Sequence, residues 1–307
     1  MPPSAWLPSR TALHRPLLWT AIAMAALSLA LAVLAVVAPN EITGRNGWFK
    51  PLKFSLSIAL YTATTAWLLG LLSPRRALGR IGTGIALCML VEIAVITGAA
   101  ALGATSHFNV STPEHALAYG IMAVSVLIAW VLMIVLAVAA CRRDVQRGRP
   151  ARRLAVQAGL ALTVVGMGLA FLMTARPEQG GIAGAHAVGA PDDGPGLWFL
   201  GWSTTGGDLR IGHFFGMHAL QAVPLLALLL ERLAARLPRL RDEGVRNRLV
   251  GVGSAGYLGL MALVTVQALA GEPITSPSPP TLLAGAGLSA ALAAAAVLAV
   301  RLPAQRR

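Results

Sequence analysis

Eight long apolar stretches, each able to cross a bilayer as one helix, leave this chain few folds to choose from. They lie near 17–38, 54–73, 81–102, 116–140, 154–174, 211–230, 249–270 and 281–300. A hydrocarbon core about 30 Å thick takes roughly 20 residues of helix to cross. Inside it every backbone N–H and C=O must be bonded within the protein, so only helices and closed barrels span it. Barrel strands read as about ten residues of alternating polarity, whereas these runs are longer and continuously apolar. The expected fold class is all-α: a polytopic integral membrane helical bundle of about eight transmembrane helices, forming a single transmembrane domain over 1–307. Composition agrees. The chain is 56% hydrophobic and 12% charged, with a mean hydropathy of +0.69, where soluble domains carry about 25% charged residues.

The net charge of +13 raises the question of anionic partners, and the distribution of the cations answers it. With the N-terminus inside, the cytoplasmic segments hold Arg10 and Arg15, then Arg75, Arg76 and Arg80, and six Arg from Arg142 to Arg153. Six more follow from Arg232 to Arg248, and then Arg301, Arg306 and Arg307. That is 20 of the 25 cations, while seven of the twelve acids fall on the outer side. An excess of Lys and Arg on cytoplasmic loops orients helices during insertion. Both termini are therefore expected inside (N-in/C-in), and the basic clusters need no nucleic acid to explain them. The first apolar run spans 22 residues, with Pro39 beyond its end. It exceeds the roughly 7–15 residues of a signal-peptide core and reads as the first helix.

Cys88 and Cys141 lie toward the cytoplasm, with no disulfide framework and no Cys-based metal motif. Arg outnumbers Lys 23 to 2 and Ala is abundant. That bias suggests a GC-rich bacterial genome and hence the plasma (inner) membrane. The lipid bilayer is the first partner.

The longest outer connection, about 175–210, begins with a Gly-, Ala- and Pro-rich stretch from Gln179 to Gly196 and continues as Leu197-Trp198-Phe199-Leu200-Gly201-Trp202. Such aromatic density favours the headgroup interface. Helices 2 and 6 both open on basic and aromatic residues, Lys50-Pro51-Leu52-Lys53-Phe54 and Arg210-Ile211-Gly212-His213-Phe214, a match too thin to establish a repeat. Polar content sorts the helices. The first and last are expected to face lipid. The stripe Gly84, Cys88, Glu92 and Ala99 of helix 3 is expected to pack on neighbours, which puts helices 2, 3, 4 and 6 in the interior.

Chemistry-bearing residues collect in the outer half: His107, His115, His186, His213 and His218, with all seven Phe. His218 and Gln221 share a helical face at i, i+3, and Pro224 frees the carbonyl of Leu220, where a kink is expected. His213 and His218, five residues apart, point about 140° from each other and cannot chelate one ion from a regular helix. No metal ligand set is assigned and no cofactor is identified. Thr112, Pro113 and Glu114 read as helix-start signals, which leaves His107, Asn109 and His115 unexplained. Asp208 reads as an N-cap.

Glu92 stands near the middle of helix 3. An ionisable side chain at that depth is a functional hypothesis by default, its bland alternative a carboxyl hydrogen-bonded to Thr or Tyr, for which Tyr61 qualifies. Lys50 and Lys53 sit where the topology rule disfavours cations. Either they snorkel, or with Arg45 and Arg210 they form an anion site. Three functions fit: an ion- or proton-coupled transporter of a small molecule, an intramembrane enzyme acting on a lipid-soluble substrate, and a b-type haem-binding protein.

Overall fold

The computed structural model describes residues 6, 13–72, 76–142, 146 and 148–302, so Arg10, Arg75, Arg143, Arg147, Arg306 and Arg307 lie outside the described residues. In chain order the elements are α1 (Arg15–Val37), β1 (Glu41–Ile42), β2 (Arg45–Asn46), α2 (Phe49–Leu71), α3 (Arg76–Ala101), α4 (Pro113–Arg142) and α5 (Pro150–Gly168). There follow α6 (Phe171–Thr174), β3 (Glu178–Gln179), β4 (Ile182–Ala183), β5 (Ala187–Val188), β6 (Gly207–Asp208), α7 (Arg210–Met217), α8 (Ala219–Leu233), α9 (Glu243–Leu269) and α10 (Pro279–Arg301). Among the described residues seven helical spans are long and apolar enough to cross a membrane, and the pair α7–α8, bent by 48°, is apolar enough together to form a broken span or a re-entrant loop. The chain is a helical, multi-pass membrane protein, and its only sheet among the described residues is three antiparallel pairs of two-residue strands.

Two compact units divide the chain. The first comprises the chain up to Leu136 together with Phe171–Ala185 and Asp192–Gly201. In it α1, α2 and α3 pack mutually, with Ser28 Oγ 2.7 Å from Ser55 Oγ between α1 and α2. The turn Thr43-Gly44 joins β1 to β2 with both residues at positive φ, the geometry that suits the twist of a two-residue hairpin. At the other junction His115 N donates to Thr112 Oγ1 at 3.3 Å, so Thr112 does cap α4.

The helix 3 stripe meets α4. Ser125 Oγ donates to Cys88 O at 3.1 Å, and a Cβ on Gly84 would crowd Leu132. α1 faces lipid on one side only: Trp19, Ile22, Leu29 and Val33 are exposed, while Leu17, Ala21, Met24, Ser28 and Leu31 are buried along the other face. Apolar and small side chains at helical spacing build that face, so a count of polar residues misses it.

The second unit comprises Ala137–Ala170, His186–Pro191 and the chain from Trp202 onward. α5 packs on α7, α8 and α9. The approach to α7 is backbone to backbone, since a Cβ on Gly166 would overlap Gly216 and the reverse also holds. Arg152, 2% exposed, grips Glu231 of α8 with Nε and Nη2, and Glu243 Oε1 accepts from Ala151 N at 3.1 Å. α10 rests on α9 through Leu288 and Leu292 over Gly259 and Gly256. Ala299 is its one buried residue.

Each unit contains the same sequence of parts: a helix, a connection bearing a β-pair, a span that opens on basic and aromatic residues, and two further helices.

Candidate functional site

In the first unit, α2 presents two faces. Phe49 and Lys53, at i and i+4, share one; Lys50, Phe54 and Tyr61 share the next, about 100° round the helix. The second face meets the polar stripe of α3. Glu92 is 4% exposed, its Oε1 3.5 Å from His107 Nε2, while its Oε2 is buried without a hydrogen-bond partner. Further along, the buried hydroxyl of Tyr61 also lacks a hydrogen-bond partner.

His107 occupies the loop from α3 to α4. Its Nδ1 lies 3.2 Å from Ser106 Oγ, and Phe54 and Phe108 flank its ring at 5.2 and 6.0 Å. The Ser106 hydroxyl, the His107 imidazole and the Glu92 carboxyl thus stand in series. Phe108 holds φ at +63° and is buried. Asn109, a candidate from sequence, serves this loop: Oδ1 accepts from Ser111 N at 3.1 Å and Ser111 Oγ at 2.7 Å, and Nδ2 donates to Thr105 O at 3.2 Å. His115 turns Nδ1 toward Ser111 Oγ at 3.2 Å.

The second unit holds His213, His218 and Gln221 on the bent helix pair α7–α8. The break falls at His218, before the Leu220 carbonyl that Pro224 frees, so the expected kink is displaced by about half a turn. Its cause is an inserted side chain. Thr163 of α5 accepts from Leu220 N at 3.0 Å and reaches Met217 O at 3.4 Å, satisfying groups that the bend releases. His213 places Nδ1 2.8 Å from Gly166 O. His218 Nδ1 stands 3.3 Å from Gln221 Oε1, with the Phe214 ring at 4.4 Å and Nε2 buried without a partner. Thr163 gave no sequence signal, since a Thr in an apolar helix ordinarily bonds its own backbone.

The cations grouped by sequence as an anion site have separate duties. Arg45 donates from Nη1 to Gly201 O at 2.7 Å and from Nη2 to Gly194 O. Lys53 donates to Leu200 O at 2.7 Å and stands 6.0 Å over the Phe199 ring. Both tie segment 192–201 to the start of α2. Arg210, in the second unit, pairs with the fully buried Asp208 at 2.5 Å. Asp208 also accepts from Ser203 N at 2.8 Å and Arg210 N at 3.0 Å, bracing the entry to α7. Among the described residues no three His, Cys, Asp or Glu side chains are placed to hold a metal ion.

The fold and these buried polar groups define the class, a helical multi-pass membrane protein with ionisable side chains inside its spans. No family model, curated protein or solved structure matches the chain.

Proposed function

We propose that the protein is a proton-coupled membrane transporter of a small molecule, with Glu92 as the group that gains and loses the coupling proton. The observation that carries this reading is the Glu92–His107 pair: a carboxyl buried in an apolar helix, one oxygen 3.5 Å from an imidazole and the other unpartnered. Burying a carboxylate is costly, and intramembrane acids recur in proton relays for that reason. His107, with a side chain 19% exposed, connects Glu92 toward the loop end of the unit. The broken span with His218 at its bend adds support, since interrupted helices build substrate sites in secondary transporters.

Solid-supported membrane recordings on proteoliposomes of the full chain test this reading, with concentration jumps of a panel of small polar and amphipathic solutes. A solute should evoke a proton-dependent current that Glu92→Gln abolishes. Equal currents from both proteins would overturn the proposal.

One observation favours an intramembrane enzyme instead, the Ser106–His107–Glu92 series, in which the imidazole could take the hydroxyl proton and the carboxylate orient the ring. Ser106→Ala separates the two. It removes the nucleophile of an enzyme and leaves the carboxyl–imidazole pair of a transporter intact.

A further inference from the structure

Segment 192–201 and the hairpin before α2 enclose an open depression of ≈ 660 Å³ within the first unit, whose lining includes Arg45, Asn46, Phe49, Asp193 and Trp198. Its polar groups differ in what they can still offer. Asn46 is committed, Nδ2 donating to Ala35 O at 2.7 Å and Oδ1 accepting from Trp48 N at 3.1 Å. Arg45 spends Nη1 and Nη2 on two carbonyls, yet a guanidinium has five N–H groups and a full positive charge. Asp193 is exposed.

Aromatic faces complete the lining. Phe49 meets Trp198 and Phe199 edge to face at 5.3 and 5.4 Å, which fixes the ring of a Trp that remains 82% exposed. An amphipathic ring at the end of a membrane span marks the headgroup level. A carboxylate beside an electron-rich ring suits an ammonium, and a guanidinium with spare donors suits a phosphate.

We infer that this depression binds a zwitterionic ammonium–phosphate headgroup, the phosphate at Arg45 and the ammonium between Asp193 and Trp198. Arg45 and Asp193 both line the depression, so an anionic headgroup gains Arg45 but meets Asp193. The site is separate from Glu92 and His107 and holds whether or not they carry protons.

Native mass spectrometry of the delipidated full-length protein tests it, with phosphatidylethanolamine, phosphatidylcholine or phosphatidylglycerol added back. The two zwitterionic lipids should bind at least about fivefold more tightly than phosphatidylglycerol, as expected of one ion pair and one cation–π contact at a part-exposed site. Asp193→Asn and Trp198→Leu, both at exposed positions, should erase that preference while the unfolding temperature stays unchanged. Glycerophosphocholine displacing the lipid would name the soluble headgroup as sufficient ligand. Failure to displace would assign the site to the intact lipid. Equal binding of all three lipids, or a preference that survives both substitutions, would overturn the proposal.

Discussion

Glu92 shows how a single residue can work against the fold that holds it. Its Oε2 is buried and unpartnered, and an unsatisfied buried polar group costs about 1–3 kcal/mol. Glu92→Met, similar in length and without polar oxygens, should therefore raise the unfolding temperature in detergent while abolishing any proton-coupled current. A lower unfolding temperature would mean that the carboxyl is structural. Glu272 makes the opposite case. Ser278 Oγ donates to it at 2.6 Å, Ser278 N at 3.1 Å and Thr281 Oγ1 at 2.7 Å, and these bonds hold its carboxyl below the usual 4.5. A depressed folded value means that the unfolded chain binds the proton first. The contribution is present above pH 4.5 and fades as pH falls from there through the folded value. Thermal unfolding of the wild type should thus lose stability below pH 4.5 by a margin that shrinks in Glu272→Gln. Glu92 was legible in the sequence from depth alone. Its pairing with His107 was not, because it depends on how the loop after α3, with Phe108 at positive φ, folds back against that helix.

At the scale of elements, the α7–α8 break depends on α5. Thr163 supplies the atoms that satisfy Leu220 N and Met217 O, and Gly166 allows α7 to approach. Thr163→Val keeps the shape and removes the oxygen, leaving a buried amide unsatisfied at about 1–3 kcal/mol. Thr163→Ser should recover most of that loss in unfolding measurements on the same detergent-solubilised protein. Gly166→Ala forces two backbones apart, an overpacking cost of about 1–3 kcal/mol or more, and should open the bend as well as destabilise the unit. Spin labels placed on α7 and α8 would read the change as a longer and broader distance distribution. Pro224 and His218 were both visible as unusual residues in one apolar run. The partner that sets the bend lies 55 residues from His218, from 163 to 218, and periodicity within one helix carries no information about it.

At the scale of the whole molecule, the spans were readable because each apolar run matches the membrane on its own, whereas the units were not, because the first draws in 171–185 and 192–201 from a later connection. That connection looked like a loop rich in Gly and Pro. Its attachment depends on Arg45 and Lys53 reaching carbonyl oxygens, and any residue can offer a carbonyl. Charge bias carries the remaining argument, for orientation. Of the 25 cations, 20 lie on segments that an N-in insertion leaves in the cytoplasm, and reversing the bundle would carry the arginine clusters across the membrane against that bias. Single cysteines at positions 147 and 190, in a background with Cys88→Ser and Cys141→Ser, give the direct measurement. A membrane-impermeant maleimide applied to intact cells should label position 190 and leave position 147 untouched until the cells are opened. Labelling of 147 alone in intact cells would invert the bundle, placing the Glu92–His107 pair and the Trp198 depression toward the cytoplasm. The proton and headgroup proposals would then have to be tested from that side.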